Sequence, residues 1–321
     1  LLESDKCGEI INFEEWCKAN LGKGITDVFM RPYNEKLFHV PLSELSYEVL
    51  ERFIPKPDLA TITKLHFKKC LDEDFTSYGY NAEFIYPLEG IFQLPKAMYE
   101  RLKVTDIFLS SEVKLISLKK KKISISSGKT MCWDILINSI PLPILGNIIV
   151  DLPDVIRQEF SKLRWVSVYN LNLGVKGDIF DLPHWIYFPE PIYPFYRITF
   201  PSTLSPKSAP EGCYSIGIEI SFAPNSSISF DFVKKMSIKH LLNLKFLKSL
   251  NDVVVEQENI LPFAYVIPNR EYFKTRTRII SFLRKHQIYP IGRFGLWEYS
   301  SIQDAISEGI EIAQKICNLI K

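Results

Sequence analysis

The chain has 321 residues, of which 46% are hydrophobic and 24% charged, the composition of a globular protein with one large or two ordinary domains. A net charge of +2 gives no electrostatic reason to expect nucleic acid as a partner. The most apolar region, 135–150, contains Pro141 and Pro143, which argue against a membrane span. Six scattered cysteines show neither metal-ligand nor disulfide spacing. We therefore expect a cytoplasmic protein without a metal site.

Helical patterns dominate the first hundred residues. Asn12 and Glu15 have the spacing of a capping box, and the apolar positions that follow predict a helix over 10–21. Similar patterns predict helices over 43–53 and 90–103.

Short alternating segments then predict strands over 106–140, with the basic run 119–122 as a solvated hairpin tip. The segment 134–140 is apolar enough for a central strand. Strands are also predicted over 165–173, 185–188, 196–200 and 214–222, and helices over 230–250, 275–286 and 302–320. Such interleaving predicts a mixed α/β or α+β fold.

A strand-like stretch leads into the turn 292–295, just before the final predicted helix. Ser301 and Asp304 are spaced as a capping box for that helix. Unpaired backbone N–H groups at a helix start favour an anion, Arg293 adds positive charge, and Gly295 would let a ligand approach the backbone. A capped helix after a tight turn, without a ligand, is the alternative interpretation.

Aromatic residues crowd Arg197 in the segments 185–190 and 194–197, within the predicted antiparallel sheet. An arginine in such a strand can bind a phosphate or carboxylate in a bidentate manner, or it can be stacked or salt-bridged for purely structural reasons. The sequence has no phosphate-binding loop and no nucleophile elbow, and its histidines form no metal-ligand pattern. The pair Gly22 and Gly24 lacks the third glycine of a dinucleotide fingerprint.

Six segments spread along nearly the whole chain carry a family resemblance: 13–16, 29–36, 84–91, 134–143, 185–197 and 292–299. Together they resemble the FAD-dependent amine oxidase and protoporphyrinogen oxidase superfamily, and within it the UDP-galactopyranose mutases of the eukaryotic type. The resemblance implies FAD as the cofactor. It also implies a reaction in which the flavin carries the covalent chemistry while the protein positions a small-molecule substrate, a UDP-sugar.

The resemblance implies an FAD-binding fold with an antiparallel-sheet substrate domain. The expected parts are a helical substrate-side segment over 1–80, FAD-binding regions over 81–150 and 266–321, and the antiparallel sheet over 151–265. The Rossmann unit with which the family begins, and which binds the ADP half of FAD, has no counterpart in this sequence. We expect that unit to be lost, to belong to a partner chain, or to lie outside the sequence given.

Site residues follow from the resemblance position by position. For the substrate it implies a diphosphate grip by Arg52 and Arg197, hydrogen bonds from Tyr187, Tyr265 and Tyr299, and a nearby position for Asn34 and Asn81. For the flavin side it implies Gly292, Arg293, Gly295, Ile302 and Gln303. Departures from the mutase pattern at Phe38, Glu89 and Leu204 leave the substrate open.

Three functions are therefore compatible with the sequence. The first is a flavoenzyme acting on a nucleotide sugar, as the mutases do. The second is a degenerate, non-catalytic subunit that pairs with a chain carrying the dinucleotide-binding half. The third is an amine or porphyrinogen oxidoreductase of the same fold.

Overall fold

The computed structural model describes residues 10–54, 63, 84–103, 106–178 and 182–320, so Asn81 lies outside the described residues. The chain divides into two compact units. The sheet unit comprises Leu1–Val104 and Val166–Ala264, and the terminal-helix unit comprises Thr105–Trp165 and Tyr265–Lys321. The domain boundaries expected from the sequence, at 81, 151 and 266, stay predictions.

The α-helices of the described residues are α1 Phe13–Ile25, α2 Arg31–Phe38, α3 Tyr47–Leu50, α4 Gln93–Tyr99, α5 Leu142–Ile148, α6 Asp154–Ser161, α7 Pro201–Leu204, α8 Phe230–Asn243, α9 Tyr272–Lys285, α10 Gly292–Gly295 and α11 Ile302–Ile320. The helices predicted in the regions of α1, α8, α9 and α11 are confirmed. The helix predicted over 43–53 is instead a series of short turns around α3, and α5 and α6 were not predicted.

The strands are β1 Val113–Ser117, β2 Lys122–Ile125, β3 Thr130–Cys132, β4 Leu136–Asn138, β5 Trp165–Lys176, β6 Trp185–Tyr187, β7 Arg197–Thr199, β8 Cys213–Phe222, β9 Val253–Val266 and β10 Ile288–Pro290. They form sheets in the orders β1-β2-β3, β10-β4 and β6-β7-β8-β5-β9. The mixed fold with an antiparallel sheet is therefore confirmed.

The start of α1 confirms the predicted capping box. The Asn12 side chain accepts a hydrogen bond from the Glu15 backbone N–H at 3.0 Å, and the Glu15 carboxylate accepts one from the Ile11 N–H at 2.9 Å. These bonds satisfy N–H groups that have no partner within the helix. Phe13 and Trp16 on the inner face of α1 are fully buried, and this burial anchors the helix within the sheet unit.

The five-stranded sheet holds the core of the sheet unit. Inward side chains of β5 and β8, including Leu171 and its partner Ile218, are completely buried, which follows from alternation along antiparallel strands. At one end of the order, β6 and β7 pair so that Tyr187 lies opposite Arg197. This pairing positions the side chains of the predicted substrate site.

The terminal-helix unit contains the short parallel pair of β4 and β10. The helix α11 begins beside Ser301 and runs for 19 residues. Among its described side chains only Ile312 is buried. No helix in the described part of the chain is both long and apolar enough to cross a membrane.

Candidate functional site

In the sheet unit, an arginine–tyrosine cluster forms from Tyr33, Tyr187, Tyr196 and Arg197. Tyr33 comes from α2, which follows a π-helical turn and has a proline in its first turn, where the missing N–H does no harm. The Tyr33 ring meets the rings of Tyr187 and Tyr196 edge-on, at centroid distances of 5.1 and 6.3 Å. Edge-on contacts of this kind stabilise aromatic pairs, so α2 braces the strand ends that carry the cluster.

Arg197 is held by a carboxylate. Its Nη2 donates to both oxygens of Glu219 at 2.8 Å, and the Tyr196 hydroxyl donates to the same carboxylate. The salt-bridged arrangement considered from the sequence is therefore present. The Arg197 side chain remains 28% exposed, and Tyr187 beside it is 36% exposed. The cluster thus offers an oriented guanidinium and a phenol to solvent.

Two other predicted substrate residues of the sheet unit lie on separate elements. Arg52 is exposed in the short 3₁₀ turn Glu51–Phe53, with its guanidinium carbon 4.6 Å from the Phe53 ring centroid. Asn34 is buried, and its side-chain amide donates to the Met30 carbonyl within the helical segment at 2.6 Å. The Asn34 amide nitrogen thus has a structural partner.

In the terminal-helix unit, Tyr265, Arg293 and Tyr299 form a second group, the helix-start cluster. The two tyrosine rings stack at a centroid distance of 5.7 Å. The Arg293 guanidinium carbon lies 5.2 Å from the Tyr265 centroid and 4.6 Å from that of Tyr299, distances typical of cation–π contacts. Arg293 also donates to the Ser300 carbonyl at 3.1 Å. These contacts bring three predicted site residues together at the approach to α11.

At the start of α11, some polar groups are capped by side chains and others have no hydrogen-bond partner among the described residues. The Asp304 N–H donates to Ser301 Oγ at 3.1 Å and the Ser301 N–H to Asp304 Oδ2 at 2.7 Å, which confirms the predicted capping box. Among the described residues, the N–H groups of Ile302 and Gln303 have no acceptor, and the buried Ser300 hydroxyl has no partner. Such donors fit the polar, anionic part of a flavin nucleotide.

The two predicted glycines, Gly292 and Gly295, both contact other parts of the chain. Gly292 has a φ of +69°, which favours glycine, and its N–H donates to the Glu308 carboxylate at 2.6 Å. Burial and the nearby Glu298 carboxylate raise the pKa of Glu308. A Cβ at Gly295 would lie 2.4 Å from the Asn138 carbonyl oxygen. The absence of a side chain at Gly295 is thus required by packing against β4, a reason that differs from the ligand approach expected from the sequence.

Sequence reasoning missed Glu219 and Ser300, and it gave no role to Lys36, whose ammonium donates to backbone carbonyls between β6 and β7. Glu219 is identified only by the strand register that sets it opposite Arg197. Lys36 lies in the segment 29–36, whose resemblance was noted without a role for the lysine. Ser300 could have been found from the sequence, because it directly precedes Ser301, the predicted cap of α11.

Comparison with known proteins identifies the family. A family model described as flavin containing amine oxidoreductase matches residues 26–226. The chain belongs to this family. The structure of a reduced UDP-galactopyranose mutase is similar, with 28% identity, a TM-score of 0.82, and coverage of 97% of this chain and 68% of that one.

Two more distant structures share the fold. A putative protoporphyrinogen oxidase from Exiguobacterium sp. 255-15 matches with 14% identity and a TM-score of 0.70, over 98% of this chain and 69% of that chain. A CLA-producing fatty acid isomerase from P. acnes matches with 12% identity and a TM-score of 0.60, over 95% of this chain and 66% of that chain.

These comparisons confirm the superfamily, the FAD-dependent fold and FAD as the cofactor inferred from the sequence. The chain is thus a flavoprotein of the amine oxidoreductase family. The donors at the start of α11 are the groups in the terminal-helix unit that fit such a cofactor.

Proposed function

We propose that this flavoprotein is an enzyme that isomerises a nucleotide sugar, as a UDP-galactopyranose mutase does. The observation that carries the proposal is the arginine–tyrosine cluster, in which Glu219 orients the partly exposed guanidinium of Arg197 beside the Tyr187 phenol. A planar guanidinium with a neighbouring hydroxyl suits the oxygens of a diphosphate. The similarity to a mutase structure supports the same substrate class.

We assign the binding roles as follows. Arg197 and Arg52 bind the diphosphate, and Tyr187 donates a hydrogen bond to it. The bound flavin supplies the covalent or redox chemistry. The N–H groups of Ile302 and Gln303 and the Ser300 hydroxyl hold the flavin side, where the positive end of the α11 dipole favours an anion.

In the helix-start cluster, the rings of Tyr265 and Tyr299 hold Arg293 in place, and we assign their hydroxyls as hydrogen-bond donors to the anionic ligand. Arg293 then contributes positive charge at the approach to α11. Stacking limits the rotamers that an arginine samples, so less conformational entropy is lost when the ligand binds.

A second candidate is a non-catalytic subunit that pairs with a chain carrying a dinucleotide-binding unit. The exposed side chains of α11 favour it, since Ile302, Ile310 and Leu319 are 52, 55 and 60% exposed. Parallel sheets are normally covered on both faces, and β4 with β10 forms only a two-stranded parallel pair in the described residues. A partner unit would bury this apolar surface.

The absorption spectrum of the purified protein tests the cofactor. A flavin band, or its appearance on titration with FAD, is expected for a chain that binds the cofactor alone. A colourless protein that takes up no FAD would contradict the proposal that this chain, by itself, is the nucleotide-sugar isomerase. Uptake restored by a co-purified partner supports the second candidate.

Calorimetry with UDP and with uridine tests the substrate class. Uridine lacks the phosphates, so it should bind much more weakly if the arginine–tyrosine cluster binds a diphosphate. Equal affinities for the two ligands would contradict the role of the cluster.

A further inference from the structure

The ammonium group of Lys36 forms hydrogen bonds along the segment 188–195, which joins β6 to β7. Lys36 Nζ donates to four backbone carbonyl oxygens, at distances of 2.7 Å for Phe188, 2.6 Å for Glu190, 3.1 Å for Tyr193 and 3.4 Å for Phe195. Lys36 is itself half-buried in α2, and these acceptors lie more than 150 positions further along the chain. One side chain therefore ties together a complete connecting segment.

The composition of the segment 188–195 explains the need for such a donor. Pro189, Pro191 and Pro194 provide carbonyls but no N–H groups, so the segment has more acceptors than donors. Carbonyl groups removed from water need hydrogen-bond donors. A lysine ammonium supplies three donors and no acceptor, so two of the four carbonyls share one N–H group. Burial lowers the pKa of Lys36 to about 8, and the nearby Glu190 carboxylate opposes that shift.

Lys36 shares its helix face with Tyr33. Residues three positions apart are neighbours on a helix, and Tyr33 contacts the rings at both ends of the segment, Tyr187 and Tyr196. The helix is also tied to the sheet, because the Ser221 hydroxyl donates to the Lys36 carbonyl at 2.8 Å. The helix α2 thus connects the segment to β8 by independent contacts.

We propose that Lys36 is a positioning residue for anion binding, because its ammonium holds the segment 188–195 so that Tyr187 and Arg197, at the two ends of that segment, face the ligand together. The identity of the ligand as a nucleoside diphosphate rests on the proposed function. The order of the segment does not, so it is measured separately.

The test uses the variant Lys36→Met, which keeps an unbranched apolar stem but removes the ammonium group and all its donors. Hydrogen exchange of the amides in 188–196 should become faster. The affinity for UDP, measured by calorimetry, should fall about tenfold, the loss expected when hydrogen bonds to a charged group disappear. Unchanged exchange would overturn the proposal, and so would unchanged UDP affinity in a variant whose wild type binds UDP.

Lys234→Met is the matched control. Lys234 belongs to the same unit and donates to Glu256 and Glu258 at 2.9 and 2.6 Å, on a different part of the sheet. Its loss should leave both the exchange of 188–196 and the affinity for UDP as in the wild type. If the control variant changes them equally, the effect is general and the positioning role fails.

A pH profile separates positioning from simple structural support. The neutral amine keeps only two N–H donors, so UDP affinity of the wild-type protein should fall as pH rises through about 8. Other charged or titratable groups lie on the elements around the segment: Arg31, Tyr33, Glu35 and His39 at α2, Tyr187 on β6, Glu190, Tyr193 and Tyr196 in the segment, Arg197 on β7, and Glu219 on β8. Lys36→Met should lack this pH step. A profile that is the same in both proteins would contradict the assignment.

Two outcomes distinguish the proposal from the proposed function. If the wild type binds no UDP and Lys36→Met still accelerates exchange, the positioning role stands and the substrate class fails. If Lys36→Met does not fold, Lys36→Arg serves instead. Its planar fork keeps the charge but cannot converge on all four carbonyls, so partial acceleration of exchange supports the proposal, and wild-type exchange overturns it.

Discussion

Arg197 donates through a single nitrogen, Nη2, to both carboxylate oxygens of Glu219, at 2.8 Å each. The register of β7 against β8 places the two residues directly opposite each other, and Tyr196 donates to the same carboxylate. The guanidinium is therefore fixed before any ligand arrives. A pre-oriented group loses less conformational entropy on binding, which favours a specific anion site.

Replacing Arg197 with alanine should weaken UDP binding by about 1.5–3 kcal/mol, because a charge-assisted hydrogen bond is lost. Calorimetry at constant salt measures the change. Arg278→Ala is the control, since Arg278 pairs with Glu159 at 2.7 Å in the other unit and should not affect UDP affinity. Wild-type affinity in Arg197→Ala would rule out the diphosphate role.

Replacing Gly295 with alanine should destabilise the protein by about 1–3 kcal/mol, because the new Cβ would meet the Asn138 carbonyl oxygen at 2.4 Å and backbone would have to move. Urea unfolding followed by tryptophan fluorescence measures the free energy of unfolding. The control is Gly309→Ala in α11, where a Cβ meets nothing within 4 Å. That change should stabilise by about 0.5–1 kcal/mol through helix propensity, so equal effects at both glycines would contradict the packing explanation.

Replacing Ser301 with alanine should lower the free energy of unfolding by about 1 kcal/mol, since the Asp304 N–H loses the hydroxyl that accepts it at 3.1 Å. Ser307→Ala, at an exposed position inside the same helix, should be neutral or slightly stabilising. Circular dichroism during thermal unfolding compares the two variants. A loss of stability at Ser307 equal to that at Ser301 would show that capping is not the cause.

The stability contributed by Glu14 should depend on pH. Hydrogen bonds from Arg31, at 2.9 Å, and Lys18, at 2.7 Å, lower the pKa of Glu14 from 4.5 to about 2. Because the folded pKa is depressed, the contribution is present above about pH 4.5 and is lost as pH falls toward 2.

The difference in free energy of unfolding between the wild type and Glu14→Gln should therefore shrink over that acidic range. Chemical unfolding at a series of pH values measures it. In an Arg31→Met background the same substitution should show a weaker pH dependence, because the largest cause of the shift is gone. A difference that is constant with pH would contradict this account.

Local signals predicted much of the fold. The capping boxes at Asn12 and Ser301 involve residues three positions apart, so their hydrogen bonds follow from sequence alone. The strands β5 and β8 were predicted because their inward side chains alternate along buried strands. The family resemblance then identified FAD, which local physics by itself had left as an unspecified anion.

The edge strand β9 was missed because its pattern lacks alternation. It contains Pro262, which ordinarily argues against a strand and is tolerated at an edge, and most of its residues are exposed. The partners of Arg197 and Lys36 were missed for a different reason. Glu219 is set by strand register, and the carbonyls around Lys36 belong to a segment distant in sequence. Tertiary structure alone creates these contacts.

The proline-rich connection between β6 and β7 also bears on protein engineering. Its backbone cannot supply the donors that its own carbonyls require, so it is not a self-sufficient loop. Transplanting this aromatic segment into another scaffold would fail unless α2 were transferred with it, because the cation arrives from that helix. The connection and its donor are therefore discontinuous in sequence, because a helix near the start of the chain completes a strand pair far downstream.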